Sequence, residues 1–398
     1  MRRNELFYLA EFDSDYFLVP TGQAVAEHKS VITTNAVGAF IWEALEKEMS
    51  LEKLTELAVQ QYQPTPEELS GLKDDIRVFM ESLKVRGLLC GEVLTGERDS
   101  KGTGFVDVPS AALTAERLSI AEISIDLFCD VGYLNDELTA FKAPEGTLVP
   151  ADMEVFVVAG EAPDLSCDRQ IISTHTAAIC ESHDLYVLKY REFKYVNGIF
   201  ISKDLRRTEI FISGEPSDAS AHEVYLALRT PFLLKALERG MVMLHSASIL
   251  YAGKVFCFSA PSGTGKTTHT NLWKKLYDID FVNGDLNLLK PGSDSAIVYG
   301  TPWCGTSGIF TRDTLPLGGI VFLKQAHINK VTAVSGGERF TKLVSRLITP
   351  AWNHDLCGKI CSASASLAAS VPMWTLECDV SDGAVEAIKA EIDGAAPQ

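Results

Sequence analysis

The chain has 398 residues, 46% hydrophobic and 22% charged, with a formal net charge of −17. That length allows two or three domains with ordinary cores, and the acidity excludes unspecific binding to nucleic acid or to anionic membranes, which needs a basic surface. No apolar run is long enough to span a bilayer, Met1-Arg-Arg-Asn-Glu leads into no apolar signal region, and nine scattered cysteines, several inside apolar runs (Cys129, Cys257, Cys378), point to reduced thiols in a cytoplasmic protein.

Residues 11–33 alternate weakly and read as strands: 16–20, a turn at Thr21-Gly22, then 24–32. Three helices follow. The first covers about 36–47, with Phe40, Ile41, Ala44 and Leu45 on one face. The second starts at Ser50, a good N-cap. The third has Thr65 as cap, Pro66 at its first position and Glu68 to complete a capping box. Its stripe of Leu69, Leu72, Ile76, Phe79, Met80 and Leu83 stops at Gly87. Residues 1–92 therefore form a small winged-helix-like α+β domain.

This domain resembles the PqqD family, the peptide-recognition element of ribosomal-peptide (RiPP) modification systems. The resemblance lies in Thr21-Gly-Gln-Ala-Val-Ala-Glu-His-Lys-Ser-Val-Ile-Thr-Thr-Asn-Ala-Val-Gly-Ala-Phe-Ile-Trp42 and Phe79-Met-Glu-Ser-Leu-Lys-Val-Arg-Gly-Leu-Leu89. It implies that residues 1–92 bind a precursor (leader) peptide as an added strand at the sheet edge, packed against the third helix. A plain winged helix for dimerisation or DNA contact shows similar periodicity. The acidic composition, with only Lys73, Arg77, Lys84 and Arg86 on the third helix, argues against nucleic acid.

Residues 93–115, rich in Gly, Ser, Thr and charge, read as a linker. The catalytic domain, 116–398, opens with a β-rich lead-in whose predicted strands cover 120–128, 155–158, 185–190, 198–202 and 209–213, with Asn197-Gly198 as a hairpin signal. A helix is predicted over 221–239.

The most telling stretch is Phe256-Cys-Phe-Ser-Ala-Pro-Ser-Gly-Thr-Gly-Lys-Thr-Thr-His269. An apolar strand, a small-residue loop and a helix ending the loop in Lys-Thr make the P-loop signature, here over 259–268. Gly263 and Gly265 allow backbone angles that aim successive N–H groups at a phosphate, and the helix start adds partial positive charge. Ser262, Gly263, Thr264, Gly265, Lys266, Thr267 and Thr268 are the nucleotide-binding candidates. Lys266 serves the β- and γ-phosphates of ATP or GTP, and Thr267 offers a hydroxyl to Mg²⁺. Ala260 stands where the motif has its first Gly.

Two further residues are catalytic candidates. His245 interrupts the apolar strand Met241-Val-Met-Leu-His-Ser-Ala-Ser-Ile-Leu250; its place just before the loop strand favours function, while a lone His in such a strand is also compatible with a core role. Asp285 ends a strand in Asp280-Phe-Val-Asn-Gly-Asp-Leu-Asn-Leu-Leu289, where a Mg²⁺-organising or proton-accepting carboxylate belongs. Tyr299-Gly-Thr-Pro-Trp-Cys-Gly-Thr-Ser-Gly308 reads as a loop that closes over the phosphates or simply connects. His354, Cys357 and Cys361 invite a zinc reading, but no fourth ligand is evident and two cysteines on one helix face suit a core better.

On these residues the second domain resembles HPr kinase and its relatives in peptide biosynthetic clusters and, more distantly, phosphoenolpyruvate carboxykinase. The implied fold class is α+β: a PqqD-like domain followed by an α/β HPr-kinase/PEP-carboxykinase-like P-loop domain. The resemblance implies that His245 orients Asp285, which accepts the proton of a serine or threonine hydroxyl. It departs from the pattern in two places: Gly284 replaces the first of two aspartates, and Thr268 replaces an acidic residue, leaving Thr267, Asp285 and water for the metal. Related kinases assemble into oligomers, so kinship implies a homo-oligomer. The expected activity is ATP-dependent phosphorylation of a captured precursor peptide. The alternatives are a nucleotide-gated peptide chaperone, or a carboxykinase-like small-molecule enzyme with Arg312 and Lys324 as candidate substrate cations.

Overall fold

The computed structural model describes residues 1–28, 30–90, 105, 114–144, 150–165, 167–261, 263–293 and 295–395. The chain divides into two compact units, Met1–Arg98 with Ala351–Gly358, and Asp99–Pro350 with Lys359–Gln398. Of the linker read over 93–115, residues 93–104 and 106–113 lie outside the described residues.

In the first unit, strands Phe7–Phe12, Asp15–Pro20 and Ile32–Thr34 form an antiparallel sheet in that order. The strand expected over 24–32 is instead a one-turn helix, Gln23–Glu27, followed by the short edge strand Ile32–Thr34. Its weak alternation came from Ala24, which packs into the core, and from half-exposed neighbours, not from a continuous ladder. Helices Ala36–Ala44, Leu51–Tyr62 and Pro66–Val85 follow. Each begins with a side-chain cap: Asn35 accepts from Gly38 N, Ser50 from Lys53 N, and Thr65 from Glu68 N. The Thr65–Glu68 capping box is complete, and the third helix gives way at Gly87, with φ of 72°. Phe7, Leu18, Trp42, Leu54, Ile76 and Leu83 meet in one core. Gly38 permits a close approach: a β-carbon there would stand 2.0 Å from Thr34 Oγ1 and 3.1 Å from the ring of Phe79.

Among the described residues, the second unit holds two eight-stranded sheets. The first runs Thr114–Ile120, Ile123–Cys129, Met153–Ala159, Arg207–Ile212, Val196–Ser202, Leu185–Tyr190, Ala177–Glu181, Arg169–Ser173. The strand expected over 120–128 is Ile123–Cys129, and the chain reverses at Ala121, whose φ is 55°, to pair it with Thr114–Ile120. Asn197-Gly198 is not a hairpin turn. Both residues lie inside the strand Val196–Ser202 at a bulge. There the Asn197 side chain bonds Ala162 N at 2.8 Å, Gly160 O at 3.0 Å and Ser213 Oγ at 2.7 Å, and Gly198 gives way to Ala162. Local turn chemistry has yielded to a tertiary contact.

The second sheet carries Lys254–Ser259, Val242–Tyr251, Leu286–Lys290, Ile297–Tyr299, Thr314–Gln325, Met373–Cys378 and Lys330–Ala333 in that order. Thr314–Gln325 also pairs in parallel with Lys254–Ser259, and Asp280–Asn283 pairs with Val242–Tyr251. Helix Lys266–Tyr277 packs on it through Trp273, which meets Phe256, Phe258, Trp374 and Ile388 in a buried cluster. Cys129, Cys257, Cys304, Cys357 and Cys361 are buried and unbridged. Among the described residues, no helix is long and apolar enough to cross a membrane.

Candidate functional site

The strand Lys254–Ser259 delivers the chain to the loop, and the helix Lys266–Tyr277 takes it away. Gly263 and Gly265 adopt positive φ of 76° and 105°, the left-handed region that glycine enters without cost. Ala260 does not, so alanine suits the position where the motif has glycine. Gly265 offers the helix no side-chain cap, so the first-turn amides stay available to an anion. Ser262 lies outside the described residues. Lys266 is buried, and its ammonium donates to Ala260 O at 3.3 Å. Burial lowers its pKa, the neighbouring Asp285 opposes that shift, and Arg346 adds to it. Thr267 and Thr268 are exposed at the helix start.

Asp285 does not end a strand as expected; it follows Asn283 and Gly284 in the break between Asp280–Asn283 and Leu286–Lys290. The break is made by Asn283, whose Oδ1 accepts from both Asp285 N and Leu286 N at 2.9 Å. That Asx turn holds Asp285 between the two strands. His245, on Val242–Tyr251, donates from Nε2 to Asp285 Oδ1 at 3.1 Å. The hydrogen bond from His245 is the main reason that the Asp285 pKa falls below its ordinary value; burial opposes it, and the charges of Lys266 and Arg229 add to it. The carboxylate is therefore ionised and fixed in direction.

Beneath this pair lies a polar network that the motifs did not announce. Ser248 Oγ donates to Asn287 Oδ1 at 2.6 Å and accepts from Asn283 N at 3.0 Å. Asn287 Nδ2 donates to Ser246 O at 2.6 Å and Ser246 Oγ at 2.9 Å, and Asn283 Nδ2 to Thr301 O at 3.2 Å. All four side chains are buried. The available signal was a period of two: Ser246 and Ser248 interrupt an apolar strand on one face.

The loop 299–308 lies on the same site. A β-carbon at Gly305 would stand 2.9 Å from Asp285 Cβ, and one at Gly284 would stand 2.0 Å from Ser307 Oγ. A side chain at position 284 would thus require Ser307 to move. A cleft of 320 Å³ is lined by Ser259, Thr264, Lys324, Lys342, Ser345 and Arg346 among others. The carbonyl of Arg346 accepts from His245 N at 3.0 Å, which ties the cleft to the strand that carries His245. Of the two cations singled out in the sequence, Lys324 is paired with Glu377 at 2.7 Å and Arg312 lies over the Phe141 ring at 6.0 Å. Arg346 and Arg229, which no motif flagged, are the arginines whose charge reaches Lys266 and Asp285.

Among the described residues, no group of three or more His, Cys, Asp and Glu side chains could hold a metal. His354 is engaged elsewhere, donating from Nε2 to Glu5 O at 2.6 Å, and Cys357 and Cys361 are core thiols.

In the first unit, the edge strand Ile32–Thr34 pairs with Asp15–Pro20 on one side, and Thr34 lies close to Phe79 of the third helix. Leu69 and Val78 of that helix are 42% and 61% exposed. An open groove of 390 Å³ between the second and third helices is lined by Glu52, Thr55, Val59, Leu69 and Lys73.

No curated protein matches the chain. A solved structure described as "TbiB1 in Complex with the TbiA(beta) Leader Peptide" is similar at 22% identity over 23% of this chain and 99% of that one, with a TM-score of 0.19, too low for a comparison of folds. Residues 23–89 match the family described as Coenzyme PQQ synthesis protein D (PqqD). The chain is therefore a mixed α/β protein with a PqqD domain at its N-terminus and a large sheet-rich region after it.

Proposed function

We propose that the chain is an HPr-kinase-type enzyme that transfers the terminal phosphoryl group of ATP or GTP to a serine or threonine hydroxyl of a ribosomally made precursor peptide. The observation that carries the reading is the His245–Asp285 pair, 3.1 Å apart and within electrostatic reach of the P-loop lysine.

In this reading Lys266 and the amides at the helix start hold the β- and γ-phosphates. The Thr267 hydroxyl and the Asp285 carboxylate suit Mg²⁺, which takes one or two carboxylates together with phosphate oxygens and water. When bound, such an ion neutralises charge on the transferring group. Asp285 accepts the hydroxyl proton, and His245 keeps the carboxylate aimed at it. The transfer otherwise depends on positioning. The PqqD domain supports capture of the precursor: an extended peptide adding to the edge Ile32–Thr34 gains backbone hydrogen bonds there and side-chain contacts from Phe79 and Val78. Capture on the same chain raises the effective concentration of the acceptor, so a weak acceptor site suffices.

The test is to incubate the protein with Mg-ATP and the small peptide encoded beside its gene, then weigh the peptide. A gain of one phosphoryl group that disappears with Lys266→Ala supports the kinase. Binding without a change of mass turns the reading to a nucleotide-gated peptide binder.

A further inference from the structure

The helix Asp218–Glu238 braces the loop over Asp285. Tyr225 Oη donates to Pro302 O at 3.0 Å and accepts from Cys304 N at 3.3 Å, while Trp303 Nε1 donates to Tyr225 O at 3.0 Å. Phe232 packs on the same Trp303 at 4.7 Å between ring centroids. Tyr225 and Phe232 are two turns apart on one face, and Arg229 lies between them on that face. The braced loop carries Gly305, which closes on Asp285. The helix thus brings Arg229 toward the catalytic carboxylate from the side of this loop.

Arg229 is half-buried, and among the described residues its guanidinium makes no hydrogen bond or ion pair. In a chain with a net charge of −17, a half-buried guanidinium that makes no ion pair is poised for an anion from outside. The charges around it are ordered. Lys266 feels Asp285 and Arg346, while Asp285 feels His245, Lys266 and Arg229. The cations that reach Asp285 are therefore Lys266 and, from a separate element, Arg229, while Arg346 reaches Lys266.

We propose that Arg229 is an acceptor-side anchor that takes a carboxylate of the acceptor peptide next to the hydroxyl deprotonated by Asp285. The site then selects a serine or threonine with a neighbouring carboxylate, either an acidic side chain or the free end of the peptide. The planar fork of arginine matches a carboxylate through two parallel hydrogen bonds, which fixes the direction of the hydroxyl as well as its distance. This inference rests on the transfer reading above.

The test uses the full chain and synthetic serine peptides of equal length: one with Asp beside the serine, one with Asn there, one ending in the serine with a free carboxylate, and one amidated at that end. Transfer from Mg-ATP is followed by mass, and binding is measured separately with a non-hydrolysable ATP analogue present. The expected result is a preference of about tenfold for a carboxylate peptide over its amide counterpart. Arg229→Gln removes the preference, Arg229→Lys keeps part of it, and nucleotide affinity is unchanged in both variants. Which carboxylate peptide is preferred identifies the source of the charge. A preference that survives Arg229→Gln, no preference in the natural chain, or weakened nucleotide binding by Arg229→Gln overturns the proposal. Preferential binding without transfer to any peptide overturns the kinase and leaves the anchor standing.

Discussion

In the first unit the polar side chains that shape the fold stand in water at helix starts, where Asn35, Ser50 and Thr65 each accept a backbone N–H. Beneath Asp285 the corresponding work is done by Ser246, Ser248, Asn283 and Asn287, which are buried and bond one another and the strand backbone. The first arrangement tolerates error, because water replaces a lost cap. The second does not, because a buried group that loses its partner has no solvent to turn to. A peptide-binding surface can adjust to its ligand, whereas a carboxylate held 3.1 Å from its histidine needs a base that does not yield.

The contrast can be broken most sharply at Asp285. Asp285→Asn should lower transfer by roughly 10²–10⁴-fold while leaving leader binding near normal; near-normal turnover in a peptide-phosphorylation assay would remove its proposed role as base. Asn283→Ala strands Asp285 N, Leu286 N and the Thr301 carbonyl, and should cost about 3–4 kcal/mol in urea unfolding. A loss below about 1 kcal/mol would mean that water enters the network.

Acid probes a third buried group. Trp273 Nε1 donates to His269 Nε2 at 3.2 Å, and burial lowers the imidazole pKa from 6.5 to about 4. The unfolded chain therefore binds a proton between pH 6.5 and 4 that the folded chain refuses. Stability falls as pH falls through that window, by up to about 3 kcal/mol from this group, and His269→Gln should flatten that part of the curve in chemical denaturation at each pH. The smallest effect belongs to the exposed caps. Thr65→Ala should cost about 1 kcal/mol, measured by the same unfolding on the full chain, with no change in nucleotide affinity.

Legibility followed the range of the interactions. The Thr65 capping box, the Ser50 cap and the helix that starts at Lys266 are local patterns, and each could be read from neighbouring residues. The pairing of His245 with Asp285 was implied by resemblance, and the distance agrees with it. Asn197-Gly198 carried a strong local turn signal and became a bulge because Ala162 and Ser213 claim the Asn197 side chain from far along the chain. Arg229 and Arg346 left no trace in any motif: one reaches the site on a helix far upstream and the other in a segment far downstream of the P-loop.

The close fit of Ser307 over Gly284 has a consequence for comparing related chains. The two positions behave as one character: a hydroxyl-bearing residue at 307 demands the absence of a side chain at 284, and a carboxylate at 284 demands a vacated 307. A pattern search that insists on consecutive aspartates passes over this arrangement. One that asks for Asn-Gly-Asp together with the later serine would gather chains that share this packing.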